Sequence, residues 1–178
     1  PYQQSASKGY EADGLLYLKS GSKEQNILAK QGDDLRIDWG YFYMVAGKEN
    51  TAYSVGNSTE LRKNFVNGTL NSASLEGEDS NGNMALVRSH GKVKNVTDKI
   101  MLGYDDIYSI QYFGTNLRPY WNSKGDRTIE AEMLAAYNEY DKLLVRCYAF
   151  DKKLMEDASA AGGKEYAELC ALAYRQSI

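Results

Sequence analysis

Hydrophobic and polar residues alternate along the first hundred positions in the manner of β-strands. The clearest run is DLRIDWGYFYMVAG at 34–47, in which apolar or aromatic residues occupy every second position from Leu35 to Val45. Two shorter runs, GLLYLK at 14–19 and NILAK at 26–30, are also strand-like, and glycine-rich turns separate the three runs. The N-terminal half is therefore predicted to be built from short strands.

Three further segments complete this half of the chain. MALVRSH at 84–90, followed by GKVKNV at 91–96, predicts a hairpin or a pair of edge strands. STELRKNFVNG at 58–68 predicts a short helix with Ser58 or Thr59 as its N-cap and a glycine at its end. The polar stretch EGEDSNGN between these segments predicts a solvated loop.

The period of the pattern changes after Asp126. Apolar residues from Met133 to Ala158 recur at spacings of three, four or seven, which is typical of one stripe of an amphipathic helix. Asp126 is the expected N-cap, two glutamates suit the positive first turn, and Gly162–Gly163 is expected to stop the helix. A second helix, KEYAELCALAYRQSI, follows the glycine pair.

The length of the first helix affects the predicted organisation. About 32 residues would extend ~48 Å, whereas a compact globule of this size has a diameter of roughly 40 Å. The second helix also keeps an open apolar face. We therefore expect an α+β chain, with part of a β-sandwich-like domain at 1–97 and, at 98–178, a junction and the first hairpin of a larger helical domain resembling an α/α toroid.

Composition excludes several classes of partner. The net charge is −3 and no basic stripe is present, so we expect no nucleic-acid partner. No apolar run is long enough to predict a membrane span. Fifteen tyrosines favour an extracytoplasmic protein, secreted or periplasmic, that handles polar ligands. Cys147 and Cys170 are predicted to be buried free thiols, because a hairpin would offset them by ~12 Å, beyond the ~7 Å limit for a disulfide.

Candidate chemistry concentrates in GYDDIYSIQYFGTNLRPYW at 103–121, where aromatic residues, expected to be mostly packed, surround Asp105 and Asp106. Paired carboxylates can serve as acid and base when their environments separate their pKa values. In the alternative interpretation, one carboxylate caps a turn and the other pairs with Arg118 or a backbone amide. A single histidine excludes a histidine-rich metal site, and no cofactor is predicted.

Three segments together carry a resemblance to the glutaminase A family. They are LRIDWGYFYMVAG at 35–47, MLGYDDIYSIQYFGTNLRPYW at 101–121 and AFDKKLMEDASAAGGKEYAELCALAYRQ at 149–176. The resemblance implies a secreted hydrolase that converts L-glutamine and water to L-glutamate and ammonia. It also implies a β-sandwich-like region followed by a helical domain similar to the α/α toroids of six-hairpin glycosidases. The chain is interpreted as a fragment that is inactive alone, with the remainder of the helical domain as its partner.

Resemblance and composition together nominate the site residues. The expected catalytic residues are Asp105 and Asp106, and the expected substrate-binding residues are Tyr104, Tyr112, Arg118, Trp121 and Asp38. The expected ligand is a small molecule, either glutamine or a saccharide. Two other functions stay open: a six-hairpin-type carbohydrate-active hydrolase, in which tyrosine and tryptophan stack on sugars, and a non-catalytic domain that supports the helices.

Overall fold

The computed structural model describes residues 5–29, 38–70, 78–79 and 83–177. Antiparallel sheets occupy its N-terminal part and a long helix follows them, so the predicted α+β class is confirmed. The chain divides into two compact units, Pro1–Leu134 and Ala135–Ile178.

The strands of the first unit form three antiparallel sheets. β1, β2, β3, β5 and β7 form the largest sheet in the order β5-β1-β2-β3-β7, β4 pairs with β6, and β8 pairs with β9. The strands are β1 (Ser5–Ala12), β2 (Leu15–Ser22), β3 (Tyr41–Gly47), β4 (Thr51–Val55), β5 (Glu78–Asp79), β6 (Met84–Arg88), β7 (Met101–Asp105), β8 (Ile110–Tyr112) and β9 (Thr115–Leu117). The helices are α1 (Ser58–Val66), a 3₁₀ turn (Tyr120–Asn122) and α2 (Ile129–Gln176).

One face of the five-stranded sheet forms the core with the β4–β6 pair. Leu16 and Leu18 of β2 are buried against Tyr53 of β4, whose side chain is 1% exposed. Gly9 of β1 leaves the space that the Tyr53 ring occupies, because a Cβ at position 9 would overlap that ring. Two layers of antiparallel sheet therefore pack face to face, as in a sandwich.

The predicted strands were only partly correct. The run at 34–47 contains β3, which begins at Tyr41, and residues 34–37 lie outside the described residues. Residues 26–29 form a turn, so the strand predicted at 26–30 is wrong where the structure describes it. The hairpin predicted across 84–96 is also wrong, because β6 pairs with β4 and the GKVKNV segment forms no strand.

The loop predicted for EGEDSNGN lies largely outside the described residues, and its residues 78–79 form β5 against β1.

Helix α1 begins one residue earlier than predicted. Its N-cap is Asn57, whose side-chain oxygen accepts from the backbone N–H groups of Thr59 and Glu60. Asn is among the best N-cap residues, and it precedes the predicted Ser58. Gly68, at φ 70°, follows the helix in the left-handed conformation expected of a terminating glycine.

Helix α2 begins at Ile129, and Thr128 caps it instead of the predicted Asp126. Gly163 has φ 81° and interrupts the helix, as the glycine pair predicted. Phe150 and Tyr174 lie on either side of this break, with ring centroids 5.0 Å apart. A continuous helix would separate them by ~36 Å, so the second unit is a helical hairpin.

The hairpin carries both cysteines and many exposed apolar side chains. Cys147 and Cys170 are free, as predicted, but Cys147 is exposed and Cys170 is half-buried, so the predicted burial of both thiols is wrong. Val145 and Leu169 are 68% and 62% exposed. Both helices of the hairpin therefore present apolar surface.

Candidate functional site

Asp105 and Asp106 stand at the end of β7, where the strand passes into a tight turn. The Asp105 Oδ1 atom accepts from the backbone N–H of Ile107 at 3.0 Å. The Asp106 Oδ2 atom accepts from the Ser109 hydroxyl at 2.6 Å. Both carboxylates therefore hold the turn at 105–109, as the capping interpretation expected. Arg118 instead lies over the Tyr108 ring, with its guanidinium carbon 5.0 Å from the ring centroid.

The centre of this turn is strained. Ile107 has φ 58°, in the left-handed region that β-branched residues rarely adopt. The backbone N–H of Tyr108 donates to the backbone carbonyl oxygen of Asp106 at 2.5 Å. This bond closes a three-residue turn around Ile107. Such a conformation persists only where surrounding contacts enforce it.

Trp39 and Gly40 supply those contacts from the residues before β3. The Trp39 indole N–H donates to the backbone oxygens of Asp106 and Tyr108, at 2.8 and 2.9 Å. Gly40 has φ 84°, and a Cβ at this position would lie 2.6 Å from the backbone carbonyl oxygen of Asp105. The turn therefore packs against backbone that only glycine allows to come so close.

The sheet face opposite the core carries a second group of polar side chains, which we call the tyrosine cluster: Tyr10, Tyr17, Lys19, Tyr43 and Glu130. Tyr10 is paired with Tyr17, and Lys19 with Tyr43, so the four side chains share one face. The rings of Tyr10 and Tyr17 stack at 5.1 Å with a 9° angle between planes. The Tyr10 hydroxyl donates to Glu130 Oε1 at 2.7 Å, and the Tyr17 hydroxyl to the Glu130 backbone oxygen at 3.3 Å.

Glu130 belongs to the first turn of α2, so the cluster joins the sheet to the start of that helix. The helix start lies close to the sheet at β7 as well, since the Met133 side chain occupies the place where Gly103 would carry a Cβ.

Burial raises the pKa of three tyrosine hydroxyls in the cluster above the ordinary value for tyrosine. It raises the pKa of Tyr17 to about 12, with further contributions from the charges of Glu130 and Asp13. The pKa of Tyr10 is raised by burial, by its hydrogen bond to Glu130 and by the charge of that carboxylate. Burial also raises the pKa of Tyr43. All three hydroxyls are therefore hydrogen-bond donors at neutral pH.

The Lys19 ammonium group lies over two tyrosine rings of this sheet face. Its Nζ is 3.6 Å from the centroid of the Tyr41 ring and 5.6 Å from that of Tyr43. Burial lowers the pKa of Lys19, while the charges of Glu130 and Asp105 act in the opposite direction. Asp105 is paired with Tyr41 across β3 and β7, so its side chain is on the same sheet face as the cluster. Asp105 therefore shares a sheet face with Lys19 and Tyr43, and its charge acts on both groups.

The other predicted site residues lie on different elements. Tyr104 is on the opposite sheet face from Asp105, 72% exposed and 5.2 Å from the Phe42 ring. Tyr112 is in the β8–β9 hairpin, and Trp121 lines a separate cavity of about 230 Å³. Asp38 is half-buried in the segment before β3.

The aromatics of 103–121 are mostly exposed, so their predicted packing is wrong. The exposed fraction is 91% for Phe113 and 96% for Tyr120. The residues from Ile110 to Leu117 form a hairpin in which every strand residue is exposed. The aromatic density of this segment therefore reflects surface as well as interior positions.

The chain matches a family described as a domain of unknown function, DUF5127, over residues 2–157. The chain belongs to the DUF5127 family. No curated protein and no solved structure matches it.

In this DUF5127 chain, none of the five residues of the tyrosine cluster was predicted as a site residue from the sequence. The available signal was Tyr17 and Lys19 at alternate positions of GLLYLK, which places two polar groups on one face of an otherwise apolar strand. Glu130 was interpreted only as a favourable charge at the helix start. Its contact with Tyr10 spans 120 residues and has no local sequence signature.

Two further properties bear on the chemistry. Within the described part of the chain, no three His, Cys, Asp or Glu side chains form a group placed to hold a metal ion. None of the helices that the structure describes combines the length and apolarity needed to cross a bilayer.

Proposed function

We propose that this chain forms the sheet and the first helical hairpin of a glutaminase-like amidohydrolase, which converts L-glutamine and water to L-glutamate and ammonia. The three resembling segments and the sheet-then-helix architecture support the proposal. The observation that supports it is the position of Asp105 on the same sheet face as Lys19 and Tyr43. Because the resembling glutaminases are secreted, the proposal includes an extracytoplasmic location.

Amide hydrolysis needs a base that takes a proton from the attacking water and returns it to the departing nitrogen, which leaves as ammonia, and it needs donors for the negative charge that develops on the carbonyl oxygen. Asp105 is the carboxylate that we assign to the water. The Tyr43 hydroxyl and the Lys19 ammonium are the donors of the same face. Glu130 holds Tyr10 and offers a negative charge for a substrate ammonium group. Residues of the adjoining helical domain complete this site in our proposal.

A second candidate function is a non-catalytic domain that supports the helices. The observation that favours it is that both carboxylates form hydrogen bonds within their own turn. Asp105 accepts from the Ile107 N–H, and Asp106 accepts from the Ser109 hydroxyl. The apolar side chains on both helices of the hairpin suit the same role, since they offer surface for further helices.

One assay separates these functions. The whole protein that contains this chain is supplied with L-glutamine and, separately, with a panel of oligosaccharides, and ammonia and reducing ends are measured. We expect ammonia release without glycosidic cleavage. Glycosidic cleavage without ammonia would replace the proposal with a six-hairpin-type glycosidase, and the absence of both activities would favour the supporting role. Residues 1–178 alone are expected to be inactive.

A further inference from the structure

A groove of about 720 Å³ runs between α1 and β6, with Met44 also in its lining. The helix contributes Ser58, Leu61, Arg62 and Phe65, whose spacing places them on one face of α1. The strand side contributes every residue from 83 to 87. The groove therefore has one helical wall and one strand wall.

The strand wall consists of consecutive residues of β6, as expected for a groove that follows a strand edge. Successive side chains of a strand point to opposite faces, so a groove over one face would contact only alternate residues. This groove contacts five consecutive residues. Among the described strands, β6 pairs with β4 alone, so its other edge is not paired with any of those strands.

We propose that the groove accepts an extended peptide strand from a partner protein, which pairs with the free edge of β6. Backbone groups that alternate between donor and acceptor along an edge are matched by another extended backbone. Alternate apolar side chains of the added strand would pack on Leu61 and Phe65. The volume lies within the ~300–1,000 Å³ typical of ligand sites.

The charge of the groove specifies the partner further. Among the contacts of the described residues, Arg62 has no ion pair or hydrogen bond, and it lies on the groove wall. An acidic side chain on the added strand would complement it. Phe65 and Val66 are 62% and 82% exposed, which leaves apolar surface for the partner to cover. The partner segment is therefore extended, apolar at alternate positions and acidic at one of the others.

The test uses the full chain and a capped hexapeptide, Val-Glu-Val-Thr-Val-Thr. Binding is followed by backbone amide NMR shifts and by amide hydrogen exchange. We expect saturable binding with a Kd below about 1 mM, and slower exchange confined to β6. The same peptide with every amide N-methylated keeps its side chains but cannot donate to the edge, and we expect it not to bind.

Three variants of the chain sharpen the test. Phe65→Ser, at an exposed position, should weaken binding by about tenfold, equivalent to ~1.4 kcal/mol. Arg62→Glu should weaken binding of the peptide that contains glutamate. It should strengthen binding of a peptide in which lysine replaces that glutamate. Val93→Ser, at a position 56% exposed and outside the groove, should leave the affinity unchanged.

Three outcomes would overturn the proposal. Equal binding of the N-methylated peptide would show a simple apolar site, and failure of the unmodified peptide to bind would show no site for a strand. A dimer in light scattering with β6 amides already protected would assign the groove to a second copy. None of these results depends on glutaminase activity.

Discussion

The Trp39 indole N–H donates to the backbone oxygen of Asp106 across 67 residues of sequence, at 2.8 Å. The same N–H also donates to the backbone oxygen of Tyr108. One side chain therefore binds the residues on both sides of the strained Ile107. This relationship fixes the turn in which Asp105 and Asp106 are presented. The position of the candidate carboxylates therefore depends on a residue that precedes β3.

Replacing Trp39 with phenylalanine should destabilise the chain. The change keeps an aromatic ring but removes the donor, so two partly buried carbonyl oxygens lose a partner. The free energy of unfolding is expected to fall by about 1–3 kcal/mol, measured by urea denaturation. Trp121→Phe is the matched control and should change stability by less than about 0.5 kcal/mol. Equal effects of the two substitutions would show that the indole hydrogen bonds contribute nothing specific.

A Cβ at position 40 should disturb the turn directly. Gly40→Ala combines a left-handed φ with a Cβ that would lie 2.6 Å from the backbone carbonyl oxygen of Asp105. Gly14 has φ 78° but open space around its Cβ position, so Gly14→Ala isolates the backbone effect. We expect Gly14→Ala to lower the unfolding free energy by about 1 kcal/mol and Gly40→Ala to lower it by about 1–3 kcal/mol more. Identical losses in urea denaturation would argue against the close approach.

Two strands of the large sheet, β2 and β3, were predictable because their signals are local, whereas no strand was predicted at β1 or β4. The apolar alternation of 34–47 and the run at 14–19 identified β3 and β2, and the glycine pair identified the break in α2. The pairing of β6 was not predictable, because its partner residues in β4 lie far away in sequence: Thr51 pairs with Arg88 and Val55 with Met84, and neither strand carries a turn signal for the other. The adjacent GKVKNV segment offered a nearer but incorrect partner.

The candidate site was less predictable than the fold, for a related reason. Asp105 was identified from its aromatic surroundings in the sequence, but the groups on which its charge acts, Lys19 and Tyr43, come from β2 and β3. Tyr10 and Glu130 meet only once the sheet and the helix start have formed. The exposed aromatics of the β8–β9 hairpin show the converse: residues close in sequence to Asp105 need not share its surface.

The cap of α1 offers a test between the sequence prediction and the structure. Asn57→Ala removes the acceptor for two backbone N–H groups and should lower the unfolding free energy by about 0.5–2 kcal/mol. Ser58→Ala, at the predicted cap, should change it by less than about 0.5 kcal/mol. Thermal or urea unfolding of both variants measures the difference. A larger loss for Ser58→Ala would restore the sequence prediction.

The raised pKa of Tyr17 should make stability depend on alkaline pH. The native state keeps a proton that the unfolded chain releases near pH 10, whereas the native pKa is about 12. The stabilisation is therefore complete below pH 10 and is lost as the pH rises towards 12.

Urea midpoints at pH 9 and 11.5 test this expectation. The midpoint should fall for the wild-type chain and fall less for Tyr17→Phe, which cannot titrate. Tyr120→Phe, at a position 96% exposed, should retain the wild-type dependence. A wild-type midpoint that stays constant across this range would contradict the burial of the Tyr17 hydroxyl.

The most direct test of the proposed active site is the turnover number of Asp105→Asn in the whole protein, measured as ammonia released from L-glutamine. Asparagine keeps the Oδ1 acceptor for the Ile107 N–H, so the turn is preserved while the charge is lost. We predict a loss of at least about 100-fold, as expected for a general base, and a loss of only a few-fold for Asp106→Asn. Turnover of Asp105→Asn within about twofold of wild type would contradict the assignment of Asp105 to catalysis.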